Sequence, residues 1–74
     1  DDFEAFIEYF RIEYAEKAKE AESRYGKLTT NSLFALSLIA IGFSDKDIQR
    51  IMAITPGALR TIKYRLKKQI KIEN

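Results

Sequence analysis

The sequence predicts an all-α fold of four helices, in which a long N-terminal helix packs on a three-helix core. Three observations carry this. Apolar residues recur at steps of three and four, the spacing of one helix face, in Phe3, Ile7, Phe10, Tyr14, Ala18, Ala21 and Tyr25, and again in Leu59, Ile62, Leu66 and Ile70. Hydroxyl residues suited to helix caps stand at the heads of the later apolar segments: Thr29 or Thr30, Ser44 and Thr55. Gly26, Gly42 and Pro56 fall at the breaks between segments.

Size and composition limit the chemistry. A chain of 74 residues makes one domain, and at this length it buries only roughly 60–65% of its unfolded surface. There is no Cys and no His, so neither a disulfide nor a Cys- or His-ligated metal supplements the core. General-base or nucleophile roles would fall to carboxylates, Lys or Ser, and no pair of these sits in a suitable setting. The three Gly are scattered, which rules out a Gly-rich phosphate loop. No enzyme activity, cofactor or small-molecule ligand is therefore expected. The longest uncharged run, Leu28 to Ser44, is too short and too polar to span a bilayer. The chain opens on Asp1 and its only Met is Met52, from which the expectation is a fragment excised from a longer protein.

The N-terminal helix is expected from Asp2 to about Arg24, because this stretch lacks Gly and Pro and keeps its apolar stripe throughout. Asp2 and Glu4 suit the positive end of its dipole. Phe6 and Tyr9 widen the stripe, so the first half should be the better buried. Two uses compete: packing on its own domain, or a seam between two chains. Lys17 and Arg24 interrupt a strict heptad and favour the first. Gly26 and Lys27 break this helix, and a second runs to Ile41. Leu33, Phe34, Ala35, Leu36, Leu38, Ile39, Ala40 and Ile41 leave it almost no polar face, so it must be covered on more than one side. Gly42 suits a left-handed helix end. Ser44 with Asp47 then forms a capping box for a short helix from Asp45 to about Ala53, with Ile48, Ile51 and Met52 as its buried face. Ala53, Ile54 and Thr55 make a tight connection into Pro56, which suits the first position of the last helix. Segments 1–27 and 28–74 are thus expected as an N-terminal helix with its connector and a three-helix unit.

Charge is unevenly spread. Residues 1–26 hold eight acids and four bases, whereas residues 56–74 hold six bases and one acid. The basic end coincides with the amphipathic last helix, which favours a polyanionic partner. Two helices joined by three or four residues, the second amphipathic and basic, is the plan of a helix-turn-helix. Ala53 stands near the position such motifs usually give to Gly. With Leu59, Leu66 and Ile70 inward, a turn of about 100° per residue sends Gly57, Arg60, Thr61, Tyr64 and Lys68 outward. A recognition helix spanning about 56–69 reads bases with its first two turns. Arg60, Thr61 and Tyr64 are therefore the candidate readers, although Tyr64 can equally be a rim residue of the core, and Ile62 is assigned to the core. Lys63, Arg65, Lys67 and Lys68 are candidate phosphate contacts. Lys46 and the amides at its helix start form a second clamp. Ser44 and Thr55 are caps first and phosphate contacts second, and Pro56 and Gly57 permit close backbone approach.

These residues carry a family resemblance. Residues 28–72 resemble, without a gap, the DNA-binding domain of LuxR-type (GerE-like) bacterial transcription regulators. The family's opening Leu-Thr is matched by Leu28 and Thr29, though Ser32 stands where it carries an acid. Its Gly, apolar residue and Ser are matched by Gly42, Phe43 and Ser44, and its Asn-Lys-Glu-Ile-Ala is represented by Asp45, Lys46, Asp47, Ile48 and Gln49. The Ile-Ser before the recognition helix appears as Ile54 and Thr55, its Thr-Val-Lys opening as Ala58, Leu59 and Arg60, and its end as Leu66, Lys67, Lys68 and Ile70. Ile62 replaces a frequent His, and Leu33 and Phe34 fill positions usually polar, which fits a cover supplied by the N-terminal helix. The resemblance implies a variant with an extra N-terminal helix in the winged-helix-like DNA-binding superfamily, without an evident wing. The short closing helix usual in the family is not evident after Ile72. It also implies sequence-specific double-stranded DNA binding as a regulator's output domain in the bacterial cytoplasm.

Other readings stay open. Region 4 of an alternative sigma factor shares the helix-turn-helix and would be separated by binding to core RNA polymerase. A helical interaction or dimerisation module would make the basic helix a merely solvated face. Membrane-surface binding is disfavoured because the apolar stripe is committed to the core. A homodimer is left open.

Overall fold

In a computed structural model, which describes residues 2–70, the chain is all-helical. It comprises α1 (Asp2–Glu13), α2 (Ala15–Arg24), α3 (Thr30–Ile41), α4 (Asp45–Met52) and α5 (Pro56–Lys68). Among the described residues there is no strand, only an isolated antiparallel bridge between Tyr25 and Ile70. No described helix is long and apolar enough to cross a membrane. The stretch after Ile72, where a closing helix was not evident, lies outside the described residues.

The helix expected from Asp2 to Arg24 is two helices, so the described chain has five rather than four. Tyr14 takes φ −124° and ψ 50°, yet the Tyr14 amide still donates to the Phe10 carbonyl (2.9 Å) and the Ala18 amide to the Tyr14 carbonyl (2.8 Å). Tyr14 therefore closes the first helix and opens the second, and the ladder of helix hydrogen bonds is interrupted between them. The bend brings Arg11 Nε to 2.8 Å from Glu22 Oε2. In one straight helix these residues would stand about 16 Å apart along the axis. The same hydrogen bond is the main cause raising the Arg11 pKa above its ordinary value. A straight rod could not lay Phe3 on α3 and still deliver Tyr25 to Ile70 at the end of α5.

The hydrophobic α3 lies at the centre and touches all four other helices, which answers its lack of a polar face. Phe34 is 4% exposed, stacked on Phe3 (ring centroids 4.3 Å apart) and edge-on to Phe6 (5.1 Å). One core cluster joins Ile7 of α1, Phe34, Ala35 and Leu38 of α3, Ile48 and Met52 of α4, and Leu59 of α5. The first helix thus packs on its own chain and shares its core. Two apolar assignments need correction. Tyr9 is 49% exposed and Ile51 43%. On so short a helix, Ile48 and Met52 occupy the inward line, and Ile51 is rotated about 80° off it.

The corners before α4 and α5 repeat one device. Gly42 (φ 114°) and Ala53 (φ 57°) each end a helix in the left-handed region. The next amide reaches back to close the end: Phe43 donates to the Leu38 carbonyl (3.1 Å), and Ile54 to the Gln49 carbonyl (3.0 Å). A hydroxyl cap follows directly. Ser44 Oγ accepts from the Asp47 amide (3.1 Å) and Thr55 Oγ1 from the Ala58 amide (3.1 Å), as Thr29 Oγ1 does from the Ser32 amide (3.2 Å) at α3. Each such cap is worth about 1 kcal/mol. Ala53 pays a steric penalty of about 1–2 kcal/mol that glycine would not.

Candidate nucleic-acid interface

The surface of interest is built on α5. Its axis is fixed by Leu59 and Leu66, both buried, with Ile62 packed against the core cluster and Ile70 half-buried. Three residues, Ala53 to Thr55, separate it from α4. Anchored in this way, α5 turns Pro56, Gly57, Arg60, Thr61, Tyr64 and Lys68 to solvent.

Tyr64 is 60% exposed, so it belongs to the outward face and not to the rim of the core. Lys68 Nζ stands 5.4 Å from its ring centroid, which holds a cation against one face of the ring. Thr61 is exposed and its Oγ1 donates to the Gly57 carbonyl (3.1 Å), which leaves the hydroxyl able to accept a hydrogen bond. Arg60, Lys63, Tyr64 and Lys67 line a shallow groove of about 250 Å³ along one flank of α5. Arg65 projects from the opposite flank, since it is rotated about 140° from Arg60.

Gly57 is not required by the fold itself. A Cβ there would meet only Thr55 Oγ1, at 4.0 Å, although glycine costs about 1 kcal/mol against alanine inside a helix. Its bareness leaves room for an approach from outside.

The start of α4 lies beside this groove. Lys63 Nζ is 2.7 Å from Asp45 Oδ1, and Asp45 stands between the cap Ser44 and the exposed Lys46. The contact unites Ser44, Lys46, Arg60, Lys63 and Lys67 into one cationic flank. It also changes the expected role of Lys63, whose charge is already engaged by a carboxylate. Asp45 was missed from sequence because it meets Lys63 across 18 positions and two helices, a relation no local spacing reveals. Ser44 and Thr55 are both exposed and occupied as caps.

Among the described residues no group of His, Cys, Asp or Glu could hold a metal ion. No family model, curated protein or solved structure matches this chain.

Proposed function

We propose that this chain binds double-stranded DNA by laying α5 in the major groove, as the output domain of a bacterial transcription regulator of the LuxR type with an added N-terminal helical pair. The observation that carries this reading is the orientation of α5. Its apolar stripe is spent on the core, its opposite face is exposed and cationic, and a three-residue corner joins it to a capped helix. A helix with side chains is about 10–12 Å across and the major groove about 12 Å wide. Arg60, Thr61 and Tyr64 sit in the first two turns and would face base edges. Arg65, Lys67 and Lys68 would meet phosphates, and Lys46 with the first amides of α4 would clamp a phosphate at the edge of the groove. Gly57 and Pro56 allow close approach. The winged-helix-like assignment and a cytoplasmic site of action belong to this same proposal.

One observation favours a second reading. Tyr9 and Ile12, 49% and 66% exposed on α1, suit a helical interaction module.

Selection of bound sequences from a random duplex pool tests the first reading. Enrichment of a defined site is expected, with affinity falling steeply with salt at a log-log slope of about −0.9 per phosphate neutralised. Arg60→Ala should relax sequence preference, a bidentate guanine contact being worth about 1–3 kcal/mol, whereas Lys46→Ala should weaken all duplexes alike. Absence of duplex binding at low salt would leave the interaction-module reading.

A further inference from the structure

We propose that Asp45 is a built-in attenuator of the α5 surface: by pairing with Lys63 it withdraws one cation from the phosphate-contacting set and so lowers both affinity and salt dependence. This rests on the DNA-binding reading.

Among the described residues, Lys63 is the one cation of α5 held in an ion pair, whereas the pairs of Arg11 with Glu22 and Arg50 with Asp47 lie on other helices. The Asp45 carboxylate is stationed where the positive end of the α4 dipole favours it, immediately after the capping Ser44. It is therefore held beside the groove of Arg60, Lys63, Tyr64 and Lys67, where a polyanion is expected to dock.

The pair carries no net charge. If Lys63 stays with Asp45, it releases no counterion when DNA arrives. If Lys63 leaves for a phosphate, Asp45 is stranded against the polyanion and its repulsion offsets the new contact. Either way the pair is silent in the salt dependence, which counts net phosphate neutralisation. Lys67, Arg60 and Lys46 have no such partner among the described residues and count in full.

Salt titration of duplex binding decides this, using wild type, Lys63→Ala, Asp45→Asn and the double variant. Glu20→Gln on α2 serves as a control that makes the same change in net charge away from α5. Circular dichroism of each variant verifies the fold. Lys63→Ala alone leaves Asp45 unpaired against the polyanion and should weaken binding and flatten the log-log slope by about 0.9. Asp45→Asn should raise affinity and steepen the slope by about 0.9 for each site occupied, equivalent to about 3.5-fold more affinity lost between about 50 and 200 mM salt. The double variant should return to the wild-type slope, and Glu20→Gln should keep it. A double variant that keeps the flattened slope of Lys63→Ala, an unchanged slope for Asp45→Asn, or a Glu20→Gln effect equal to that of Asp45→Asn overturns the attenuator while leaving DNA binding intact. No duplex binding by any variant at low salt overturns both.

Discussion

The contact between α1 and α3 is open to direct measurement through Phe34→Ala. Phe34 is buried beneath Phe3 and Phe6, and removing a buried Phe side chain costs about 3–5 kcal/mol. A domain of this size has about 4–11 kcal/mol of stability in all. The variant should therefore lose most of its stability, and with a urea m-value of about 1 kcal/mol/M its midpoint should fall by about 3–5 M. Part of that loss belongs to the stacked ring pair. A double-mutant cycle with Phe3→Ala isolates it, with a coupling of about 0.5–1.5 kcal/mol expected for rings in this geometry. Urea unfolding followed by circular dichroism at two protein concentrations is the assay. Because both rings belong to one chain, the midpoint should not move with concentration. A coupling near zero, or a midpoint that rises with concentration, would refute packing of α1 on its own α3 and return the helix to the role of an inter-chain seam.

Two further substitutions probe the corner and the exposed helix start. Ala53→Gly should stabilise the protein, since glycine relieves the left-handed strain at φ 57° and gives back only part of that in unfolded-state entropy. A gain of about 1 kcal/mol would raise the thermal midpoint by about 4–8 °C, and no rise would mean the corner is unstrained. Gly57→Ala should stabilise α5 by a few tenths to about 1 kcal/mol while weakening every duplex alike in a binding titration. Unchanged affinity would show that the backbone there does not approach DNA.

Much of this architecture is legible from local chemistry. Thr29, Ser44 and Thr55 announce their helices because a cap is a contact between residues three apart, and Gly42 announces a helix end because its backbone conformation is written in its missing side chain. The stripe of α5 is legible for the same reason, and with it the outward set of Arg60, Thr61, Tyr64 and Lys68. The bend at Tyr14 is not. No Gly, Pro or cap marks it, and the apolar stripe steps across it in register, because the force that bends the chain comes from α3 and from the end of α5. Ile51 misleads in another way. On a helix of eight residues two inward positions suffice, and apolar character alone does not say which Ile takes them. The pairing of Lys63 with Asp45 is likewise a product of tertiary approach, and it alters the reading of a lysine that looks in sequence like its neighbours.

The junction between Tyr25 and Ile70 has a kinetic consequence. Besides the bridge, the Gly26 amide donates to the Gln69 carbonyl (2.9 Å), so one chain segment is fastened to another more than forty positions away. Closing a loop of that length costs about 3 kcal/mol in chain entropy, more than a single exposed hydrogen bond returns. The junction is therefore a late event, formed once the two corners have already folded α3, α4 and α5 into a compact hub. The two ends of α5 consequently have different histories. Its head at Thr55 is set by a turn that forms among near neighbours, whereas its tail is held by a clasp to the segment that follows α2.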